Sequence, residues 1–199
     1  MSGTYNPGGE GAPIESLDQL TGYFAAGSKP VDAFRIGTEH EKFGFALGDH
    51  TPLPYENGGG PSVKKMLEGL QRFGWAPVEE DGVLIALKRD GASITLEPGG
   101  QLELSGAPLV NLHQTCAETG RHLKHMRAVT TALGLGMLGI GYQPKWGRDD
   151  IPWMPKGRYK IMRNYMPKVG RFGLDMMLRS CTVQVNLDYA NEVDMRRKF

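Results

Sequence analysis

Hydrophobic residues recur along this chain three or four positions apart in some segments and two positions apart in others. The first spacing is typical of amphipathic helices and the second of half-buried strands. Ser16 and Ser62 precede the first two helical runs, which end near Gly27 and Gly74. Because serine is a favoured helix N-cap, each of these serines is expected to begin a helix. A longer helical run covers about 108–132.

Short segments with an alternating pattern lie between 75 and 105 and predict strands,. Asp-Gly dipeptides at 81–82 and 90–91 favour tight hairpin turns, so neighbouring strands should run antiparallel,. The residues of the last hairpin that are expected to face the core are Ile94, Leu96, Leu102 and Leu104.

The other face of that hairpin carries carboxylates. If Pro-Gly-Gly at 98–100 forms a three-residue loop, Glu97 lies opposite Gln101 and Thr95 lies opposite Glu103,. All four side chains then share one face of the sheet, because side chains alternate along a strand. The sequence therefore predicts a pair of acidic residues on the polar surface of this hairpin.

A second acidic pair lies in the segment 35–45, which reads as a strand. Glu39 and Glu41 point to the same face, and His40 points to the opposite face. Two carboxylates that share a half-buried face repel each other, and a bound cation or protonation of one of them relieves the repulsion. Taken alone, the pattern favours a solvated strand face over a metal site.

The segment 180–189 alternates polar and apolar residues and predicts a further strand, and 135–142 reads as a buried one,. Asn191 is expected to cap a helix that continues to Phe199, where the chain stops without a helix stop signal, which suggests a truncated C-terminus,. The polar face of 180–189 consists of Thr182, Gln184, Asn186 and Asp188, and its apolar face of Val183, Val185 and Leu187.

Basic and aromatic residues are interleaved between 145 and 171. Such a segment can bind single-stranded nucleic acid, with bases stacked on aromatic rings. It can equally hold nucleotide phosphates or a substrate carboxylate, to which arginine donates in pairs, or it can be a solvated surface. The formal net charge of only +1 leads us to prefer the nucleotide and carboxylate interpretation,.

Composition narrows the class of protein. Two cysteines, Cys116 and Cys181, do not make a disulfide framework,. Residues 1–14 are predicted to be a flexible tail and 15–199 to belong to a single domain. Because the tail has neither a basic region nor an apolar core, it does not resemble a secretory signal, and a cytoplasmic protein is expected. The most apolar segment, 133–142, is too short to span a bilayer.

His122 and His125 lie three residues apart in the long predicted helix. Metal binding is conceivable at that spacing. The interpretation we favour is that both are solvated histidines on the surface of the helix.

Three strands therefore present polar faces near a basic segment. Carboxylate oxygens are preferred ligands of Mg²⁺, which often bridges protein carboxylates and nucleotide phosphates. The combination points to phosphoryl transfer, in which metal ions and arginines stabilise phosphate charge. No Gly-x-x-x-x-Gly-Lys-Ser/Thr motif is present, which argues against a P-loop enzyme,.

Five motifs closely resemble those of glutamate–cysteine ligases of the plant and proteobacterial type. The resemblance runs from about residue 15 to the end of the sequence. The motifs are Gly37–Phe45, Leu96–Pro108, Met154–Tyr159, Arg163–Pro167 and Cys181–Asp188.

The resemblance implies an α+β fold, a glutamine-synthetase-like curved antiparallel sheet flanked by helices and truncated at its C-terminus. It implies ATP- and Mg²⁺-dependent joining of L-glutamate to L-cysteine through γ-glutamyl phosphate, the first step of glutathione synthesis. Family members are expected to be roughly twice as long as this chain, which would be the N-terminal portion of one catalytic domain. We therefore expect the chain alone to be weakly active or inactive.

The resemblance also assigns site residues. Gln184 occupies a position where more distant ligases place a histidine metal ligand, and Cys116 matches a cysteine whose disulfide partner lies beyond this sequence. The metal-binding carboxylates match Glu39, Glu41, Glu97 and Glu103. Nucleotide or substrate contacts are expected from Lys156, Arg158, Gln184 and Asn186, and catalytic contacts from Arg163 and Arg179.

Two other functions stay open. Another carboxylate–amine ligase of the same superfamily would keep the Mg-ATP site and change the acceptor. A non-catalytic nucleic-acid-binding module would depend on 145–171, although our prediction is that nucleic acid and membrane are not partners.

Overall fold

The computed structural model of this chain describes residues 13–199 and shows an α+β fold, as predicted. Residues 1–12, and with them most of the predicted tail, lie outside the described residues. The helices are α1 (Leu17–Ala26), α2 (Val63–Gln71), α3 (Leu112–Leu133), α4 (Gly157–Val169), α5 (Gly173–Arg179) and α6 (Glu192–Lys198). The strands are β1 (Ile36–Ala46), β2 (Ala76–Glu80), β3 (Val83–Arg89), β4 (Ala92–Leu96), β5 (Leu102–Ser105), β6 (Leu135–Leu138) and β7 (Val183–Leu187).

Strand β1 is the common partner of three other strands in the antiparallel sheet. The sheet order is β2-β3-β4-β5-β1-β6, and β7 also pairs with β1. Glu39 lies opposite Ser105 of β5 on one edge and opposite Gln184 of β7 on the other. The second half of β1, from Phe43 to Ala46, pairs with β6. One continuous strand of 11 residues therefore sets the positions of β5, β6 and β7.

The hydrophobic core lies between the sheet and helices α2 and α3. Ile94, Leu96, Leu102 and Leu104 are at most 1% exposed, which confirms the predicted core face of the β4–β5 hairpin. They pack in one cluster with residues of α2 and α3 such as Leu67. Burying this much apolar surface on one face leaves the other face of the sheet available for polar side chains.

The predicted helix caps are confirmed. The side chains of Ser16, Ser62 and Asn191 each accept a hydrogen bond from the backbone N–H three residues further on. Helix α3 begins at Leu112, later than predicted, because Leu109 exchanges backbone hydrogen bonds of 2.7 and 2.9 Å with Ile36 at the start of β1.

Helices α4 and α5 were not anticipated. Tyr159 is the buried side chain of α4, and Pro167 lies inside it, so α4 has no apolar stripe that a sequence pattern can detect. The residues of α4 were interpreted only as part of the basic, aromatic segment 145–171, and no element was predicted for the residues of α5. The strand β6 is also shorter than the predicted segment 135–142.

Several apolar residues of the described chain stay exposed. Helix α1 buries none of its side chains. The predicted apolar face of β7 is exposed as well, with Val183 at 86%, Val185 at 55% and Leu187 at 52%. Among residues 13–199, no helix is both long and apolar enough to cross a membrane.

Two helical glycines allow a matched test of core packing. A Cβ at Gly120 in α3 meets nothing within 4 Å, whereas a Cβ at Gly69 in α2 lies 2.7 Å from Cγ1 of Val129. We expect Gly120→Ala to raise the free energy of unfolding by about 0.5–1 kcal/mol, because alanine is the better helix former. Gly69→Ala should lower it by about 1–3 kcal/mol, because the clash outweighs that gain. Urea unfolding measures both, and equal effects would contradict this packing.

Candidate functional site

Four glutamates lie on the polar face of the sheet, as the alternation of side chains predicted. Glu41 of β1 is paired directly with Glu103 of β5, and Glu103 also faces Thr95 of β4. The backbone N–H of Glu97 donates to the carbonyl of Gln101 at 2.9 Å, which confirms the predicted three-residue hairpin loop. The pairing register therefore brings the two predicted acidic pairs onto adjacent strands.

Strand β7 and Thr182, the residue before it, hold the two carboxylates of β1. Asn186 donates from Nδ2 to Oε1 of Glu39 at 3.0 Å. Thr182 donates to Glu41 twice, from its backbone N–H and from its hydroxyl, both at 3.0 Å. Gln184 donates to Asn186 at 3.2 Å. The predicted contact residues Gln184 and Asn186 thus lie beside the carboxylates.

Glu103 is 6% exposed, whereas Glu97 is half-buried like the pair on β1. Ser105 donates a short hydrogen bond to Oε1 of Glu103. Arg158 of α4 approaches Oε2 of Glu97 at 3.9 Å, and Oε1 of Glu97 is buried without a hydrogen-bond partner. Burial raises the pKa of Glu97 to about 7, although the nearby Lys156 opposes the shift. The carboxyl group of Glu97 is therefore paired with Arg158 through Oε2, while its buried Oε1 has no hydrogen-bond partner.

The start of α4 brings basic side chains to this face. Lys156 is 6% exposed and donates from Nζ to the carbonyl of Leu96 at 2.7 Å. Burial lowers the pKa of Lys156 to about 8, and the neighbouring Glu97 limits the shift. Two of the basic residues in 145–171 thus lie beside Glu97, and their contacts with nucleotide phosphates or a substrate carboxylate stay predictions.

The predicted catalytic arginines make other contacts. Arg163 is exposed and lies 4.9 Å from the ring centre of Trp153. Arg179 pairs with Asp175 at 3.1 Å and lies 4.7 Å from the ring centre of Tyr142. Their proposed roles stay predictions, because the structure shows these arginines held by aromatic rings and an aspartate.

The carboxylate face fits a hard cation in the chemistry of its donors. Carboxylate oxygens suit Mg²⁺, and the unpartnered, buried Oε1 of Glu97 is a group that a cation would compensate,. The side chains do not converge in this conformation: within residues 13–199, no three His, Cys, Asp or Glu side chains are arranged to hold a metal ion. Metal binding by these glutamates thus requires side-chain rotations and stays a prediction.

A buried cluster of basic side chains lies behind the carboxylates, on the helix side of the sheet. Nζ of Lys42 lies 2.6 Å from Nδ1 of His40, and the ring of His40 packs edge-on against His122 at 5.4 Å. His122 is 2% exposed and His125 is stacked on Phe73 at 4.0 Å. The interpretation of His122 as solvated was therefore wrong, because α3 turns it toward the sheet, whereas His125 is half-buried against Phe73.

Some residues that shape the site were not predicted as site residues. Ser105 and Thr182 hold Glu103 and Glu41, and both have the polar-face position that a period of two assigns. Gln101 donates from Nε2 to the carbonyls of Met177 and Ser180, and so ties the hairpin loop to α5. No sequence signal could have shown this last contact, since it joins distant segments.

Comparison with protein families matches residues 35–198 to Glutamate-cysteine ligase family 2 (GCS2). This chain belongs to that family. It is 58% identical over 92% of its length to "Glutamate--cysteine ligase, chloroplastic" of Arabidopsis thaliana, and 59% identical over 94% to the protein of the same name from Medicago truncatula. The resemblance inferred from the motifs is confirmed.

The family relatives also correct two expectations. The chain spans 34% of the Arabidopsis protein and 36% of the Medicago protein, so these relatives are nearly three times as long and not twice as long. Both carry the name chloroplastic, which contradicts the expected cytoplasmic location. That expectation depended only on the lack of a secretory signal in the first residues. Such an absence carries no information on location, because the chain matches only about a third of the length of these relatives.

The raised pKa of Glu97 predicts a pH effect on stability. The folded pKa of Glu97, about 7, exceeds the unfolded value of 4.5. Protonation of Glu97 therefore contributes to the stability of the fold, and this contribution is complete below pH 4.5 and is lost as pH rises through 7,. We expect Glu97→Gln, which mimics the protonated form, to gain stability relative to the unchanged chain as pH rises from 4.5 to 7. Urea unfolding measures the difference. The exposed Glu68→Gln is the control, and a pH-independent difference for Glu97→Gln would contradict the shift.

The buried histidines predict the opposite dependence. Burial, with Lys42 adding to it, lowers the pKa of His40 to about 4 and that of His122 to about 2. Below pH 6.5 the unfolded chain gains protons that the folded chain does not, so stability should fall by up to about 1.4 kcal/mol per pH unit for each histidine. We expect His122→Gln to reduce the slope between pH 6.5 and 4. His113→Gln, at an exposed position of α3, should leave the slope unchanged.

Proposed function

We propose that this chain supplies the metal- and nucleotide-facing surface of an ATP-dependent glutamate–cysteine ligase. The reaction joins the γ-carboxylate of L-glutamate to the amine of L-cysteine and is the first step of glutathione synthesis. The observation that carries the proposal is the face on which Glu41 and Glu103 are paired beside Lys156 and Arg158. Membership of Glutamate-cysteine ligase family 2 supports it.

The four glutamates are the proposed holders of Mg²⁺. When bound, Mg²⁺ neutralises phosphate charge and orients the transferred group. Asn186 and Thr182 fix the orientation of Glu39 and Glu41 through the hydrogen bonds described above. Fixing these carboxylates in advance lowers the cost of arranging them around a cation.

The basic residues have a complementary role. Lys156 and Arg158 are proposed to contact the phosphates, because α4 presents both toward Glu97 at the same face. Arg158 can then exchange its 3.9 Å contact with Glu97 for a phosphate oxygen,. Gln184 is proposed as a further contact, and Arg163 and Arg179 as residues that reach the reacting groups after a change of position.

Two chemical steps follow in this proposal. The glutamate γ-carboxylate attacks the terminal phosphorus of ATP, which releases ADP and forms γ-glutamyl phosphate. The cysteine amine then attacks the activated carbonyl carbon, loses a proton, and displaces inorganic phosphate. The amide bond forms at the expense of one phosphoanhydride bond, and the charge that develops on phosphate is what cations at this face would stabilise.

The chain alone is expected to be weakly active or inactive, because it spans about a third of the relatives. The names of those relatives support a plastid as the place of action. A chimera provides the direct test, with 15–199 of this chain replacing the matching segment of the Arabidopsis relative. We expect the chimera to release ADP and form γ-glutamylcysteine with cysteine as the acceptor. A panel of other amino acids distinguishes this activity from that of another carboxylate–amine ligase.

A substitution of Glu103 in that chimera is the most direct test of the metal assignment. Glu103→Gln keeps size and the hydrogen bond to Ser105 while it removes a negative charge opposite Glu41. We expect kcat to fall roughly 10²-fold or more, since charge at a metal site is lost, and Mg²⁺ affinity measured by titration calorimetry to fall with it. Glu68→Gln, on the exposed side of α2, should change neither. Unchanged turnover in Glu103→Gln would refute the metal assignment.

A further inference from the structure

Gln101 is a buried polar residue at the base of the hairpin loop that follows Glu97, and its side chain is 1% exposed. Its Oε1 accepts a hydrogen bond of 2.9 Å from the backbone N–H of Gly99. Its Nε2 donates to the carbonyl of Met177 at 3.1 Å and to that of Ser180 at 2.8 Å. The oxygen and both hydrogens of the amide are therefore engaged, and a flipped amide would place its oxygen against two carbonyls. The orientation of this side chain is thus fixed.

The hairpin loop at 98–100 is held tightly against α5. The backbone N–H of Glu97 donates to the carbonyl of Gln101, and the N–H of Gly100 donates to the carbonyl of Glu97, both at 2.9 Å. A Cβ at Gly99 would lie 2.7 Å from the carbonyl oxygen of Leu178, so a larger residue would push the loop away from the helix. Gln101 supplies the side-chain hydrogen bonds that cross this close contact.

The two carbonyls that Gln101 binds lie on either side of Arg179. Met177 and Arg179 belong to the last turn of α5, and Ser180 follows the helix. The carbonyl of Arg179 itself accepts a hydrogen bond of 2.8 Å from the backbone N–H of Gln143. The backbone around Arg179 is therefore fixed by three hydrogen bonds. A movement that brings its guanidinium to a substrate is thus a rotation of the side chain from a fixed backbone.

We propose that Gln101 is a positioning residue for the ligase reaction, which holds the backbone of Arg179 at a fixed distance from Glu97; this inference rests on the proposed function. In that function Glu97 faces the metal ion and Arg179 reaches the reacting groups. Gln101 is buried and acts through the two backbones. Because a displacement of about 1 Å can lower a rate roughly 10²-fold, a side chain that joins these two segments contributes to turnover.

The first test measures amide hydrogen exchange in the chain itself. Gln101→Met has a similar length and removes all three side-chain hydrogen bonds. We expect the amide of Gln143 to exchange about 10-fold faster or more, because the carbonyl of Arg179 to which it donates is no longer held in place. The amide of Leu67 in α2 should keep its rate. Unchanged exchange at Gln143, or an equal acceleration at both amides, would overturn the inference.

Gly99→Ala tests the same junction and keeps Gln101, so it serves if Gln101→Met does not fold. The added Cβ should push the loop away from α5, and exchange at Gln143 should again accelerate. Gly120→Ala is the matched control, because a Cβ at that position meets nothing within 4 Å. The same exchange rate at Gln143 in both alanine variants would contradict the proposed link.

The second test is a double-mutant cycle in the active chimera. We expect Gln101→Met to lower kcat about 10-fold or more and to leave the KM for ATP and for glutamate within about threefold. With Arg179→Ala also present, the same substitution should lower kcat by at most about threefold, because the positioned side chain is gone. An equal loss of kcat in both backgrounds would mean that Gln101 only stabilises the fold, and would overturn the inference.

The control for the cycle is Thr130→Val in α3. Thr130 is 8% exposed, and its hydroxyl donates to the carbonyl of Arg127 at 3.2 Å. The substitution keeps the shape of the side chain and removes a hydrogen bond on the helix side of the sheet. We expect kcat to stay within about twofold of the unchanged chimera, and a loss as large as that of Gln101→Met would contradict a specific role for Gln101.

The outcomes separate this inference from the proposed function. If the chimera forms γ-glutamylcysteine and Gln101→Met leaves kcat unchanged, the ligase function stands and the positioning role is refuted. If the chimera is inactive while Gln101→Met accelerates exchange at Gln143 in the isolated chain, the proposed function is refuted, and the link between the loop of Glu97 and the backbone of Arg179 stands.

Discussion

The pairing of β1 with β5 and β7 is the constraint on which the rest of the site depends. Side chains alternate along a strand, so a slip of one residue would exchange the two faces of β1. Glu39 and Glu41 would then point into the helical core, while His40 and Lys42 would point toward the polar face. That slip would be costly, because the two carboxylates would then be buried beside apolar residues of β5 such as Leu104,.

The sheet separates two sets of charged groups at short range. The carboxylates lie on one face, and Lys42 lies buried on the other, where burial lowers its pKa to about 8 while Glu103 and Glu41 act against that shift. A charge in a poorly solvated position is stabilised by opposite charges nearby. The positive charge of Lys42 therefore offsets part of the repulsion between Glu41 and Glu103,.

Much of the fold followed from the sequence wherever the interactions are local. The caps at Ser16 and Ser62 and the turn at 98–100 depend on residues only a few positions apart, and each was predicted correctly. The same is true of the shared face of Glu97 and Glu103, since a hairpin fixes it. These features need no knowledge of distant parts of the chain.

What the sequence did not reveal depends on distant contacts. Helix α4 buries little apolar surface of its own, and its place is set by Lys156 and Tyr159, which both bind the carbonyl of Leu96 far away in sequence. His122 was misjudged because its partner His40 is remote in sequence and reaches it across the interface between sheet and helix. The metal assignment came from the family motifs, and the structure alone supplies a shared face without a formed cluster.

The exposed face of β7 has a consequence for how the isolated chain behaves in solution. Within residues 13–199, β7 pairs with β1 alone, and its apolar side chains Val183, Val185 and Leu187 face solvent. A strand with an open hydrogen-bonding edge and a bare apolar side is a template onto which another backbone can add. Strand β7 therefore limits the colloidal stability of this polypeptide. Dilute conditions, or a partner that covers β7, would keep the polypeptide monodisperse.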